Sequence, residues 1–145
     1  MDRKPRPTVD LSANCACGAV NVTFRGQVRA MFYCTCEDCQ KATGSGHAAA
    51  IVADPADVMI SGETRAFTRH ANSSATYTRW FCPSCGTPIS GLSSRAPKML
   101  SLPAGLFGAY TDWFEPNQVI FARSHREWDM IDPDLPRYQT YRGEP

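Results

Sequence analysis

The sequence predicts an all-β domain built from short antiparallel strands. Three observations carry that expectation. Eleven prolines and ten glycines divide the 145 residues into brief segments. Several of those segments alternate apolar with polar residues, the period of a half-buried strand. No long segment repeats its apolar residues at the helical period, and strand-like runs recur at near-regular spacing, as they do in all-β folds.

In chain order, residues 1–10 read as a flexible N-terminal tail, because Met1-Asp-Arg-Lys-Pro-Arg-Pro7 is charged and proline-broken. Ala19–Phe24 puts Val20, Val22 and Phe24 on one face and reads as a strand. Val28–Tyr33 reads as a second strand, and Arg25-Gly26 between them suggests a hairpin. Glu37–Thr43 suits a short helix, with Glu37 and Asp38 at its positive end and Gly44 as its stop. Ala48–Val52 and Val58–Ile60 are strands ended by Asp54-Pro55 and Ser61-Gly62. Ala66–Arg69 and Thr76–Phe81 flank a hairpin turn at Ala71–Ser74. Pro88–Gly91, Met99–Leu102 and Val119–Ala122 are further short strands, and the proline-bearing end reads as an irregular wrap. The organisation expected is one domain over residues 11–138, with a C-terminal tail at 139–145.

Composition excludes several classes. With 43% hydrophobic and 20% charged residues, the chain is neither disordered nor fibrous. A net charge of +1 lacks the basic excess of a nucleic-acid-binding domain. No apolar run approaches the roughly 20 residues of a membrane helix. The N-terminus has no signal-peptide pattern, so the expected compartment is the cytoplasm, where thiols stay reduced.

Seven cysteines fall into three groups: Cys15 and Cys17; Cys34, Cys36 and Cys39; Cys82 and Cys85. An odd number cannot pair completely into disulfides. Cys82-Pro-Ser-Cys85-Gly86 is a turn that brings two sulfurs to one ion. Cys15 and Cys17, two apart on an extended strand, would point to the same side. Two such arms make a closed four-thiolate site, the structural kind of zinc centre. The trio Cys34, Cys36 and Cys39 offers three ligands and leaves a fourth position open, as reactive zinc sites do. Four plus three uses every thiol. Two alternatives stay open at this point: a different pairing among the three groups, and a redox dithiol at Cys82 and Cys85. Lys41 is placed to offset the negative charge of a three-thiolate site, or is merely a solvated lysine.

Three stretches together resemble the glutathione-dependent formaldehyde-activating enzyme family. They are Cys15-Ala-Cys17-Gly-Ala-Val, Cys34-Thr-Cys36-Glu-Asp-Cys39-Gln-Lys-Ala-Thr-Gly-Ser, and Arg79-Trp-Phe-Cys82-Pro-Ser-Cys85-Gly-Thr-Pro. Ser124-His-Arg-Glu-Trp128 and Asp134-Leu-Pro136-Arg-Tyr138 fit the C-terminal pattern of that family. Ala16 and Thr35 stand where its members often carry histidine. The resemblance implies a β-tent fold with two Zn2+ per chain. Structural zinc would sit on Cys15, Cys17, Cys82 and Cys85; catalytic zinc, open to partial occupancy, on Cys34, Cys36 and Cys39. It implies condensation of formaldehyde with glutathione to S-hydroxymethylglutathione, a carbon–sulfur lyase in the reverse sense.

The chemistry of the trio agrees. Three thiolates donate strongly, so the ion is a poor acidifier of water and a better host for a fourth sulfur. The expected partners are a small thiol, such as glutathione, and a small aldehyde, with neither nucleic acid nor membrane. Thr43, Gly44, Ser45 and His47 follow the trio and are the candidate substrate contacts, with His47 the candidate proton carrier. The arginines, including Arg79, are candidates for glutathione's carboxylates. Trp80, Phe81, Trp113, Phe114 and Trp128 are expected in the core or the pocket wall. A non-catalytic zinc module and a thiol or metal sensor are the competing functions.

Overall fold

The structure is a computed structural model, and it describes residues 5–70 and 74–142. Among these residues ten strands appear in order: β1 (Thr8–Asn14), β2 (Asn21–Gln27), β3 (Ala30–Cys34), β4 (Ala48–Ala53), β5 (Val58–Ser61), β6 (Arg65–His70), β7 (Thr76–Phe81), β8 (Pro88–Ser93), β9 (Leu100–Pro103) and β10 (Val119–Ile120). One α-helix, α1 (Glu37–Thr43), lies between β3 and β4 and stops at Gly44. The strands form a three-stranded sheet, β1-β2-β5, and a seven-stranded sheet, β10-β3-β4-β9-β8-β7-β6. The all-β expectation holds.

Four local expectations need correction. Thr8–Asp10 is strand rather than tail, because Thr8 pairs with Gln27 and Asp10 with Arg25. Val9, Leu11 and Ala13 alternate with polar residues and turn toward the core. β2 and β3 are not a hairpin. Val28 N–H bonds Pro7 O and Arg29 N–H bonds Val52 O, so the chain passes from one sheet to the other between them. The pairing is also not wholly antiparallel: β10 runs parallel to β3, after the 3-10 turns of Ala104–Thr111 carry the chain back. The segment at 139–142 is packed, not loose. Phe121 N–H bonds Thr140 O, and the Tyr141 ring meets Phe121 edge-on at 4.8 Å. β6 and β7 form the expected hairpin, in register from Arg65–Phe81 to His70–Thr76. Ala71–Ser73 of its expected turn lie outside the described residues.

Alternation gives the large sheet two different faces. Ile51, Leu102 and Met31 point to one side, where they join Val22 and Phe24 of β2 in the core between the sheets. The other side carries Cys34 opposite Ala48, Phe32 opposite Ala50, Val52 opposite Ser101, and Tyr77 opposite both Arg69 and Ser93. These residues line one pocket of about 270 Å³. The small side chains at positions 48, 50, 91, 93 and 101 leave the hollow. Gly91 is required there, since a Cβ would collide with the Tyr77 hydroxyl.

Leu102 is fully buried on the core face. Leu102→Ala is expected to lower unfolding free energy by about 2–5 kcal/mol in denaturant titrations while leaving metal content unchanged.

Candidate metal centre

Two turns meet to form the first sulfur cluster. Cys15 lies just past β1, and its turn is closed by Gly18 N–H to Cys15 O at 3.0 Å and Cys15 N–H to Val20 O at 2.9 Å. The second turn repeats this, with Gly86 N–H to Cys82 O at 2.8 Å and Cys82 N–H to Thr87 O at 3.0 Å. Gly18 and Gly86 sit at φ +83° and +77°, where a side chain would be strained. Cys15 and Cys17 thus share a site through a turn, not through an extended strand.

The four sulfurs of Cys15, Cys17, Cys82 and Cys85 lie within 4.8 Å of one another. Cys15 Sγ–Cys17 Sγ is 3.6 Å and Cys17 Sγ–Cys82 Sγ is 3.7 Å. Ligands at about 2.3 Å around a tetrahedral ion stand about 3.8 Å apart, so the donor set fits zinc. All seven cysteines are free thiols. Val20 N–H donates to Cys15 Sγ at 3.2 Å. Thr87 Oγ1 accepts from Ala16 N–H at 3.1 Å and lies 3.1 Å from Cys85 Sγ. That hydroxyl, with the backbone amides of Thr87 and Cys17, brings the Cys85 thiol down to about 5. The structure thus brings the Cys15 and Cys17 arm together with the Cys82 and Cys85 arm.

Cys34, Cys36 and Cys39 form the second cluster, their sulfurs likewise within 4.8 Å of one another. Cys34 ends β3 on the pocket side. Cys36 caps α1, its sulfur accepting Cys39 N–H at 3.3 Å. All three line the pocket. The Cys34 and Cys39 thiols donate to Cys36 and hold its thiol well below the ordinary value, against the opposing effect of burial. Donation to Cys36 and Cys39, together with burial, pushes Cys34 well up. Cys39 accepts from Cys34, yet its bond to Cys36 and its burial push it up to about 12. Cys36 is thus the thiol of the trio whose ionised form its neighbours favour.

Asp38 ties this cluster to the far end of the sheet. Its Oδ2 accepts Arg79 Nη2 at 2.7 Å, and Arg69 Nε stands 2.8 Å away. The Arg69 Nε–H is not aimed at the carboxylate, so that contact is an ion pair rather than a hydrogen bond. Arg69 Nη2 reaches Cys36 Sγ at 3.9 Å. Burial opposes the Arg69 charge, but Asp38 and Cys36 more than offset it. Tyr77 lies 5.6 Å beneath both guanidinium groups, and burial raises its hydroxyl, which stays protonated.

None of Thr43, Gly44, Ser45 and His47 lines the pocket. Thr43 Oγ1 donates to Cys39 O at 2.9 Å and accepts Ser45 N–H at 3.1 Å, which is helix-ending chemistry at Gly44. His47 Nδ1 meets the buried Asp129 carboxylate at 2.8 Å, and its ring lies tilted against Tyr33 with centroids 4.5 Å apart, pinning the C-terminal wrap. Lys41 is exposed and outside the pocket; Arg69 is the cation at the trio. Trp113 and Phe114 pack on the core, whereas Trp128 is 66% exposed and belongs to neither core nor pocket. Of the candidate arginines, Arg69 and Arg95 line the pocket and Arg79 does not; Tyr77 and Tyr141 are wall residues that the sequence reading missed. Tyr141 is the least expected: it comes from the supposed tail and carries the Arg95 guanidinium 3.7 Å over its ring.

Residues 10–124 match the glutathione-dependent formaldehyde-activating enzyme family. The chain belongs to that family. A crystal structure of a Rhodobacter sphaeroides protein shares the fold, with a TM-score of 0.55 at 18% identity over 73% of this chain and 97% of that one. No curated protein matches the sequence significantly. Among the described residues, no helix is long and apolar enough to cross a membrane.

Two outcomes are expected. Cys85→Ala unfolds the protein by circular dichroism, while Cys36→Ala leaves it folded and lowers its metal content by elemental analysis. Equal loss of fold would contradict the different placement of the two clusters. Metal loading at the trio must also displace the protons of Cys34 and Cys39, both raised. Apparent affinity there falls by about a hundredfold per unit of pH lost, read by competition with a chromophoric chelator.

Proposed function

We propose that the chain is a zinc-dependent carbon–sulfur lyase. It forms and cleaves the adduct of a thiol with formaldehyde or another small aldehyde, and glutathione is the thiol that the family description names. Cys15, Cys17, Cys82 and Cys85 hold a structural zinc in this reading, and Cys34, Cys36 and Cys39 a catalytic one. One observation carries the reading: the cluster with three sulfurs is the one that faces the pocket. Zinc there, when bound, supplies a soft electrophilic position at which a substrate sulfur is favoured as thiolate.

The chain's own residues account for the rest. The pocket walls hold the thiolate and orient it toward the aldehyde carbon. The carbon–sulfur bond forms as the carbonyl π pair moves to oxygen, and that oxygen takes one proton from solvent. Arg69 and Tyr77 line the pocket as charged and neutral donors toward the developing alkoxide. Cleavage runs the same steps backward. Seven unpaired thiols suit a reducing compartment such as the cytoplasm. A second reading, a redox sensor, rests on Cys36, whose depressed thiol beside Arg69 is the kind that oxidises readily.

Exchange spectroscopy by NMR on S-hydroxymethylglutathione tests the proposal. The zinc-loaded protein is expected to accelerate formaldehyde exchange beyond the spontaneous rate, and Cys36→Ser to abolish the excess. Equal exchange with and without protein would overturn the lyase reading. Reversible, peroxide-dependent metal release without such acceleration would favour the sensor.

A further inference from the structure

The two strands nearest the trio are apolar on both faces. Met31 of β3 and Ile51 and Ala53 of β4 belong to the core between the sheets. Phe32, Ala48, Ala50 and Val52 alternate with them and line the pocket instead. An antiparallel sheet that turns one face to water ordinarily carries polar residues there. Met99 and Leu100 extend the same apolar wall. The polar groups lie across the pocket, toward β6, and several already have partners within the protein. Arg69 pairs with Asp38, Ser93 Oγ accepts Arg95 N–H at 3.2 Å, Ser101 faces the Tyr77 hydroxyl, and the Arg95 guanidinium covers Tyr141.

We propose that the adduct handled here carries a hydrocarbon group of about four to six carbons beside the reacting carbon–sulfur bond, seated on Phe32, Ala50 and Val52. The inference rests on the lyase reading and narrows its substrate class. Cys34 and Ala48 share one register position; Phe32 and Ala50 share the next on the same face, about 7 Å along the strands. A saturated chain of about five bonds covers that step, and Val52 lies one step beyond. Formaldehyde brings one carbon and one oxygen, close to a water molecule's share of about 30 Å³, into a pocket of about 270 Å³. The remaining space holds either water against apolar walls or a hydrocarbon that releases that water. Burial favours the hydrocarbon by about fourfold per methylene. Either half of the adduct, aldehyde or thiol, can bring the group, and experiment separates the two.

Two series of probes on the zinc-loaded protein test this. One keeps glutathione and lengthens the aldehyde from formaldehyde through acetaldehyde and propanal to pentanal, read by NMR exchange above the spontaneous rate. The other keeps formaldehyde and lengthens the thiol from ethanethiol to pentanethiol, read by the same exchange and by calorimetric binding of the thiol alone. In at least one series the effect is expected to rise about fourfold per methylene, and that series names the half that carries the group. Ala50→Leu is expected to lower the ratio of the longest probe to acetaldehyde or ethanethiol by about tenfold or more, and Val52→Ala to move the optimum to longer chains. Each ratio compares probes on one variant, so a partial loss of folding cancels. Accelerated exchange of the formaldehyde–glutathione adduct with no dependence on chain length in either series, or a ratio unchanged in Ala50→Leu, overturns this inference and leaves the lyase reading standing. Chain-dependent thiol binding without accelerated exchange keeps the hydrocarbon site and removes the lyase reading. Neither chain dependence nor acceleration removes both.

Discussion

Four sulfurs drawn from two turns about one point set the geometry of the whole molecule. Cys17 and Cys82 are 65 residues apart in sequence, yet their sulfurs stand 3.7 Å from each other. One turn leaves β1 of the small sheet and the other leaves β7 of the large one. Closing a loop of that length costs chain entropy that no single hydrogen bond returns. A structural zinc ion contributes about 10–16 kcal/mol at neutral pH, comparable with the total stability of a domain. The core between the sheets is built mainly from Val, Ile, Leu, Phe and Ala side chains of modest number, so the junction and the core depend on each other. Each turn works because its glycine takes a positive φ and its backbone amides face sulfur.

The second cluster is placed by a different rule. Cys34 belongs to the face of the large sheet that is turned away from the core, in register with Ala48 on β4. Moving β3 by one residue would put that sulfur into the core and Met31 into the pocket. Cys36 and Cys39 then follow from the start of α1, where a cap residue and a first-turn residue lie on one side of the helix end. Strand parity and helix capping together aim three sulfurs into a space floored by small side chains. The contrast with the first cluster is one of surroundings as much as ligand number: turns at the joint between sheets in one case, a pocket wall in the other.

What could be read from the sequence divides along the same line. The cysteine arms, the stop at Gly44 and the β6–β7 hairpin were legible because each is set by residues close together in the chain. β1 also carried its signal, since Val9, Leu11 and Ala13 alternate with polar neighbours, but the prolines and charges just before it obscured the start. The sheet change between β2 and β3 had no local signature, because partners Pro7 and Val52 decide it. Thr43–His47 looked close to the site by adjacency. A helix climbs about 1.5 Å per residue, so α1 carries those residues away from Cys36, while strands remote in sequence supply the wall. Arg69 reaches the trio only because β6, at the far edge of the sheet, curls back to meet α1.

That curl is held by one carboxylate under two guanidinium groups. Asp38 alone leaves one positive charge unmatched between Arg69 and Arg79. A divalent ion on three thiolates leaves one negative charge unmatched, and Arg69 stands 3.9 Å from one of those sulfurs. Each imbalance is the other's counterpart. Surface ion pairs contribute little, roughly 0–1 kcal/mol, because water screens them and their side chains lose freedom. Here Arg69, Arg79 and Asp38 are each about a fifth to a quarter exposed, at 27%, 18% and 21%, so screening is weaker and the geometry is shared by three groups. With a divalent ion on the trio, the clamp that shapes the pocket would also be the counter-charge of the cluster.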